Sequence, residues 1–466
     1  MRSAVKTVQF ITSVLLLNLA SACSQQPLTA PDELDTASTL THTRLDPKLI
    51  TAFENKIVET LLATEKQTPA ERNRVGETLL EQDNLETRIQ ILEQRSKRLA
   101  EVNHQVLNAE NKQAIRLHHR LLARLKRKLV SQRLNSTNQL GARYPGLVAH
   151  YSTLELPPDS LLSKASERLA DNRSEIERLL QRADIQVAIN RLLATLSNDQ
   201  ALFLSDSNED KHLYLNLISD LVSAAPSTFA DHILNVENKP IEVRASFDQG
   251  STPAQFAYHP VQQSAAPTAV LKVNLNDMSK LPLYEAEAKS FIYGIPGMHQ
   301  LTSAQTIVEN DSVFSVDELP AFTMGWGLYT AKLARDYDLY RSPYGKLGSL
   351  MLESRYAARL IVDIKLNQNL LSDEQALVFL KEQGFETAES AHLAISTSRQ
   401  SPGKQTSAIS GLLAFMSLRS RFETKLGDRF NAKQFHQQIL SRSPLPLWLL
   451  EKELNGWLID ITRSAR

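Results

Sequence analysis

Residues 85–102, LETRIQILEQRSKRLAEV, indicate a helical fold more directly than any other part of the chain. Apolar side chains recur in this stretch at steps of three, four and seven residues: Leu85, Ile89, Leu92, Leu99 and Val102. That spacing places them on one face of an α-helix. Neither glycine nor proline occurs from residue 77 to residue 140, and one straight helix of that length would exceed ~90 Å. The sequence therefore predicts a helical hairpin that turns near residues 108–111.

The second arm of this hairpin is strongly basic. The neighbouring histidines His118 and His119 are followed by five cations: Arg120, Arg124, Lys126, Arg127 and Lys128. Neighbouring residues on a helix point about 100° apart, so the two histidines do not share one metal ion. We predict that both histidines lie on the surface, within a solvated helix face. Contact of the cations with phosphates or lipid headgroups is the alternative.

The composition favours one fold class and excludes several kinds of partner. The chain is 42% hydrophobic and has only 15 glycines in 466 residues, which favours helix. Its 52 basic and 52 acidic side chains cancel, so we expect no nucleic-acid partner. Alternating apolar residues over 269–276, together with residues 241–247, predict two strands. We therefore expect a mainly α fold with a small β-sheet.

The N-terminus has the layout of an export signal. Arg2 and Lys6 precede an apolar run over residues 8–19, and small residues lead directly to Cys23, the only cysteine. This layout resembles the lipobox of bacterial lipoproteins, so we expect Cys23 to carry lipid. The residue after Cys23 is Ser24 and not the aspartate that retains many lipoproteins at the inner membrane. This favours an outer-membrane lipoprotein that faces the periplasm. An ordinary signal cleaved after Ala22 is the alternative.

The chain divides into four predicted segments. Residues 1–22 form the lipoprotein signal peptide, and the polar residues 23–46 form a flexible tether. Residues 47–143 form the hairpin region, and residues 144–466 form a helical domain with the small sheet, packed with the hairpin as one unit. The predicted bilayer contact is the lipid anchor alone, because the apolar run is too short for a permanent span.

The second half of the chain contains an ordered series of short motifs. They are GIPGMHQ (294–300), MGWGLY (324–329), SRYAARLIVD (354–363), SPGKQ (401–405) and LGDRF (426–430). Their order and spacing resemble the domain-of-unknown-function 885 family of bacterial proteins, over roughly residues 144–457. The resemblance implies a multi-helix fold similar to the zinc peptidase carboxypeptidase Taq, with the small sheet beside a central cleft.

The motif positions that would carry chemistry are altered in this chain. We align the family pattern H-E-x-x-P-G-H-H on Pro296 and Gly297. Of its histidines and its glutamate, only the last histidine is present in this chain, as His299. Other chemical positions of the family fall on residues that are apolar or neutral here: Ile292, Tyr293, Met298, Met324 and Asn367. Zinc hydrolysis needs about three nitrogen or oxygen ligands and a carboxylate base. We therefore predict no catalytic residue, no metal and no cofactor.

Other polar residues have simpler interpretations in the sequence. Glu285 and Glu287 are explained as exposed helix charge, and Arg355, Arg359 and Asp363 as an ion-pair ladder along one helix face. If the central cleft binds a ligand, the ligand would contact those motif residues that are polar or aromatic in this chain. These candidate binding residues are His299, Trp326, Tyr329, Arg355 and Arg359.

Three functions remain open from the sequence. The leading hypothesis is a non-catalytic pseudo-peptidase, an envelope lipoprotein that binds a peptide or protein. The first alternative is an active metal-dependent peptidase or hydrolase, with zinc at a site that the motifs do not match. The second alternative is a structural tether that acts through the hairpin. An open acidic cleft would favour the enzyme, whereas an exposed apolar hairpin face would favour the tether.

Overall fold

The computed structural model describes residues 47–62, 85–99, 102, 107–136, 140–182, 196, 199–233, 240–249, 254–260, 268–307, 318–442 and 444–463. The predicted signal peptide, Cys23 and tether lie outside these residues. The chain forms two compact units, Met1–His119 and Arg120–Arg466.

The first unit is helical where it is described. It contains α1 (Pro47–Leu61), α2 (Leu85–Leu99) and the first part of α3 (Ala109–Ser136). Its core is formed by apolar side chains of the three helices and of the residues that follow or precede them: Val58, Leu62, Leu99, Val102, Leu107, Ala114 and Ile115. Ile89, Leu92, Leu99 and Val102 are buried, which confirms the predicted apolar face for these four positions. The side chain of Leu85 lies outside the described residues.

The two histidines of α3 differ in burial, contrary to the prediction. His118 is buried, and its Nε2 lies 3.1 Å from both Ser96 Oγ and the Leu92 carbonyl oxygen of α2. His119 is partly buried. The prediction that both are surface residues is therefore wrong for His118. Its ring joins the two arms, because a buried polar group needs a hydrogen-bond partner and the facing arm supplies two.

The second unit is mainly α-helical. After α3 its helices are α4 (Leu140–Ser152), α5 (Pro158–Arg182), α6 (Asn208–Thr228), α7 (Leu283–Tyr293), α8 (Met298–Ile307), α9 (Pro320–Asp336), α10 (Pro343–Asn367), α11 (Asp373–Gln383), α12 (Ala388–Gln400), α13 (Ser407–Leu426), α14 (Ala432–Leu440) and α15 (Leu447–Arg463). The predicted mainly α class with a small sheet is confirmed.

The sheet has three strands in the order β1-β3-β2. They are β1 (Ile241–Ser246), β2 (Phe256–His259) and β3 (Ala269–Asn274). The central strand β3 runs parallel to β1 and antiparallel to β2. In β3, Leu271 and Val273 are buried while Lys272 is exposed, as the alternation predicts. The four-residue strand β2 is absent from the sequence prediction.

Helix α7 lies at the centre of the second unit. It packs against α6, α8, α9, α10 and β2, and every residue from Tyr284 to Ile292 is buried. A neighbouring close contact joins α9 to α13, where a Cβ on Gly325 would lie 2.3 Å from the Cα of Gly411. Helices approach this closely only where both contribute a residue without a side chain. The motif MGWGLY therefore includes a helix-packing site.

Candidate functional site

The altered motif forms the end of α7, the turn after it and the start of α8. The second motif, in α9, packs directly on this turn. Trp326 Nε1 donates to the Pro296 carbonyl oxygen at 2.9 Å, and Thr330 Oγ1 donates to that of Phe291 at 3.2 Å. The structure thus brings the first two sequence motifs together.

Ile292 occupies the position of the family's leading histidine, and it is enclosed by the chain itself. It is buried, and a Cβ on Gly327 would lie 2.7 Å from its Cγ2. Met324, one turn earlier on α9, also packs on the core and is partly buried. Two of the replaced positions are therefore packing residues, because Ile292 belongs to the apolar core and Met324 packs against it.

Tyr293, at the position of the family's glutamate, faces a polar neighbourhood. Burial raises its pKa well above the ordinary value, and the neighbouring Tyr356 adds to the rise. The nearby Arg359 guanidinium opposes this rise. A phenol with a raised pKa is a poor anionic ligand at neutral pH, so Tyr293 does not replace a carboxylate.

His299, the surviving motif histidine, is held by the sheet. It is buried, and its Nδ1 lies 3.0 Å from the Tyr258 hydroxyl of β2. The same hydroxyl lies 2.7 Å from Thr302 Oγ1 on α8. His299 therefore joins α8 to β2. Asn367 belongs to a different cluster, where its Nδ2 donates to the carbonyl oxygens of Asp363 and Ser398.

The residues at the motif do not fit a zinc ion. Isoleucine offers no donor atom, a methionine thioether prefers softer metals, and His299 alone is one ligand where about three are needed. Among the residues that the structure describes, no three His, Cys, Asp or Glu side chains form a group that could hold a metal.

A buried ion cluster joins α7 to α10, close to Tyr293. The Glu285 carboxylate, 1% exposed, accepts from Arg355 Nη2 at 2.5 Å and from Lys289 Nζ at 2.9 Å. Burial alone would raise the pKa of Glu285, but Arg355 and Lys289 outweigh it and lower that pKa to about 2. The interpretation of Glu285 as exposed helix charge is wrong, because α7 is enclosed on all sides.

Glu287 is also buried, contrary to the prediction. Its carboxylate accepts from the backbone N–H of Arg341 at 3.1 Å, in the turn before α10. Burial raises the pKa of this carboxyl. One residue separates Glu285 from Glu287, yet each contacts a different partner from outside its own helix.

The row Arg355, Arg359 and Asp363 on α10 is not an intrahelical ladder. Arg355 pairs with Glu285 of α7, and Arg359 pairs with Glu386 in the turn before α12, with Nε 2.5 Å from Oε1. Each side chain as a whole remains partly exposed, 19% for Arg355 and 23% for Arg359. The predicted ladder is wrong because neighbouring elements supply closer partners than the same helix does.

Asp363 lies at a junction of three elements and is fully buried. Its Oδ1 accepts from the Tyr144 hydroxyl of α4 at 2.7 Å and from the Gly403 N–H at 2.8 Å. Its Oδ2 has no hydrogen-bond partner within the described residues. Burial raises the pKa of Asp363 to about 6, although these hydrogen bonds oppose the rise. Gly403 has φ +83°, a conformation that favours glycine.

Trp326 and Tyr329, two candidate binding residues, are core residues in the structure. Both are buried, and the Tyr329 hydroxyl lies 2.8 Å from His436 Nε2. His436 Nδ1 donates to the His232 carbonyl oxygen at 2.8 Å, so Nε2 accepts from the tyrosine. Burial lowers the pKa of His436 to about 4. These side chains contact the protein's own interior rather than an open cleft.

A further buried ion centre is absent from the sequence prediction. Glu353 of α10 pairs with Arg168 of α5 and with Arg335 of α9, and all three are buried. Asn172 Nδ2 also donates to Glu353, at 3.2 Å. The partners lie far apart in the chain, and no motif marks them, so the sequence carries no local signal for this centre.

Comparison with solved structures shows which proteins share this fold, and a family model then shows the family. The structure is similar to a candidate lipoprotein from Colwellia psychrerythraea, with TM-score 0.64, 21% identity, and coverage of 80% of this chain and 66% of that one. It is also similar to a candidate lipoprotein of unknown function from Shewanella oneidensis, with TM-score 0.54, 15% identity, and coverage of 89% and 80%. These similarities define the fold. This chain spans just under two thirds of the Colwellia protein.

The family model for DUF885, bacterial proteins of unknown function, matches residues 34–454. The chain belongs to this family, and the match includes the hairpin region as well as the motif series. No curated protein matches the chain. No described helix is long and apolar enough to cross a membrane.

Proposed function

We propose that this protein is a non-catalytic, peptidase-like lipoprotein of the bacterial envelope that binds a peptide or protein partner. Its lipid anchor is Cys23, which holds it at the outer membrane facing the periplasm. The export signal and the description of both structural neighbours as candidate lipoproteins support the anchor.

The observation that carries the non-catalytic proposal is the packing around Ile292. A catalytic metal needs an open coordination position beside polar ligands. Here the side chain of Ile292 lies against the backbone of Gly327, and the Pro296 carbonyl is bonded to Trp326. This packing supports a motif without an open coordination position.

The tether alternative has less support than the binding proposal. It requires an apolar hairpin face that is free to contact another molecule. The residues that define this face, Ile89, Leu92, Leu99 and Val102, are buried. We therefore favour a partner that binds the second unit.

The rim formed by Arg355, Arg359 and Tyr356 is the surface best suited to that partner. Each guanidinium uses Nε and Nη2 for contacts within the protein, and no partner for Nη1 is found among the described residues. All three side chains are partly exposed. Guanidinium groups favour carboxylates, so a peptide with a free carboxyl group fits this rim.

One experiment tests both halves of the proposal. Native mass spectrometry of the purified chain, incubated with zinc and a peptide pool, reports bound metal, bound peptide and cleavage together. We expect well under one zinc per chain and no cleavage that a chelator stops. We also expect intact peptides to bind, with free carboxyl termini preferred over amidated ones. Stoichiometric zinc with chelator-sensitive cleavage would overturn the non-catalytic half, and the absence of bound peptide would overturn the binding half.

A further inference from the structure

The distribution of charge along the chain is uneven. Residues 111–154 contain no aspartate or glutamate, although the chain has 52 acidic residues in total. The same 44 residues contain nine lysines and arginines. In the structure this segment forms most of α3 and all of α4. A chain with a formal net charge of +0 thus concentrates positive charge in one region.

Some of these cations have partners within the protein. Arg120 Nη2 donates to the Arg442 carbonyl oxygen at 2.9 Å, and Arg127 Nη2 donates to that of Glu318 at 2.7 Å. Lys126 Nζ lies 5.7 Å from the ring centroid of Trp448. These three side chains attach α3 to the rest of the second unit.

Arg124 and Lys128 differ from those three cations. Both are exposed, and neither has an ion-pair or hydrogen-bond partner among the residues that the structure describes. They lie four residues apart on one helix, where like charges repel and destabilise the helix. The half-buried Leu121 lies within about 60° of both around the helix axis. Two exposed cations beside an apolar side chain form a surface that an anionic layer would neutralise.

We propose that this face of α3 contacts an anionic lipid surface through phosphate-bearing headgroups. The charge is complementary, and basic clusters close to a membrane are attracted by its negative surface potential. The apolar Leu121 suits the boundary between headgroups and acyl chains better than it suits a nucleic acid. The contact would orient the second unit on the membrane. Neither the lipid anchor nor peptide binding requires it, so it goes beyond the proposed function.

The test measures vesicle binding by the mature chain carrying Cys23→Ser, so that no acyl chain contributes. We expect binding to vesicles of phosphatidylcholine mixed with phosphatidylglycerol, weak binding to pure phosphatidylcholine, and loss of the preference at high salt. Arg124→Gln with Lys128→Gln should weaken binding about 30-fold. Arg124→Lys with Lys128→Arg should bind as the parent does.

The matched control removes the same charge elsewhere. Lys381 and Lys425 are exposed on α11 and α13, so Lys381→Gln with Lys425→Gln should leave vesicle binding unchanged. Circular dichroism checks that each variant is folded. Equal binding to both kinds of vesicle, equal losses in the two double variants, or tighter binding to an RNA oligonucleotide than to vesicles would each overturn the proposal. Zinc content and peptide binding are separate measurements, so their outcome does not affect this test.

Discussion

The hairpin arm α2 and the central helix α7 are both short helices, but their environments differ. In α2 the buried residues Ile89, Leu92 and Leu99 recur with helical period, and Ile91 between them is exposed. In α7 every residue from 284 to 292 is buried, including Glu285, Glu287 and Lys289. Periodicity therefore indicates burial only where one helix face meets water. In an enclosed helix, charged residues are buried as well, because other elements supply their partners.

The largest expected effect comes from breaking the ion cluster of α7. Glu285→Gln leaves Arg355 and Lys289 without their shared carboxylate in a buried site. Removing one member of a buried ion pair costs about 3 to 5 kcal/mol. Urea unfolding should show a loss of that size. Glu382→Gln, on the exposed surface of α11, is the control and should change stability by less than about 0.5 kcal/mol. A near-neutral Glu285→Gln would show that α7 is more hydrated than its burial indicates.

A smaller effect is expected on the hairpin, where neighbouring positions differ in burial. Leu92 is 7% exposed and Ile91 is 44% exposed. Leu92→Asp loses apolar burial and places a charge in the interface between the helices, so it should cost about 3 kcal/mol. Ile91→Asp should cost less than about 1 kcal/mol. Thermal unfolding of the two variants measures the difference. Similar losses in both would contradict the periodic face.

The sequence predicts those parts of the molecule that depend on local patterns. The hairpin face, strands β1 and β3 and the family all follow from spacing within short segments. Strand β2 covers only Phe256–His259, too few residues for an alternating pattern to stand out. The ion clusters depend on partners far apart in the chain, such as Glu285 and Arg355, which are separated by 70 residues. No local pattern marks such pairs.

The candidate site shows the same division. The replacement of the chemical positions is visible in the motif itself, through Ile292, Tyr293 and Met324. The core location of Trp326 and Tyr329 is not visible there, because aromatic residues with a polar atom occur both in clefts and in cores. Their hydrogen-bond partners, Pro296 and His436, show that both side chains belong to the core. His436 lies 107 residues from Tyr329 in the chain.

The smallest of the three expected effects depends on pH and concerns Asp363. This residue is buried as Glu285 is, but it has no cationic partner among the residues that the structure describes. Its pKa in the folded protein is about 6, above the ordinary value of about 3.9. Folding therefore favours the protonated carboxyl, so this contribution to stability is full below the unfolded pKa. It is lost as the pH rises through about 6, and the loss amounts to about 2 to 3 kcal/mol. Glu285 behaves oppositely, because its cations lower its pKa.

Asp363→Asn removes this pH dependence while an amide oxygen can still accept from Tyr144 and Gly403. The stability of the variant relative to the parent should therefore increase by about 2 to 3 kcal/mol between pH of about 4 and pH of about 7. Urea unfolding at several pH values measures it, and Asp220→Asn, at an exposed position, controls for the loss of one negative charge. A constant difference across this range would mean that Asp363 has its ordinary pKa in the folded protein. Hydrogen bonds alone would then be enough to keep the buried Asp363 carboxylate ionised. The cations around Glu285 would not be needed to explain its ionisation.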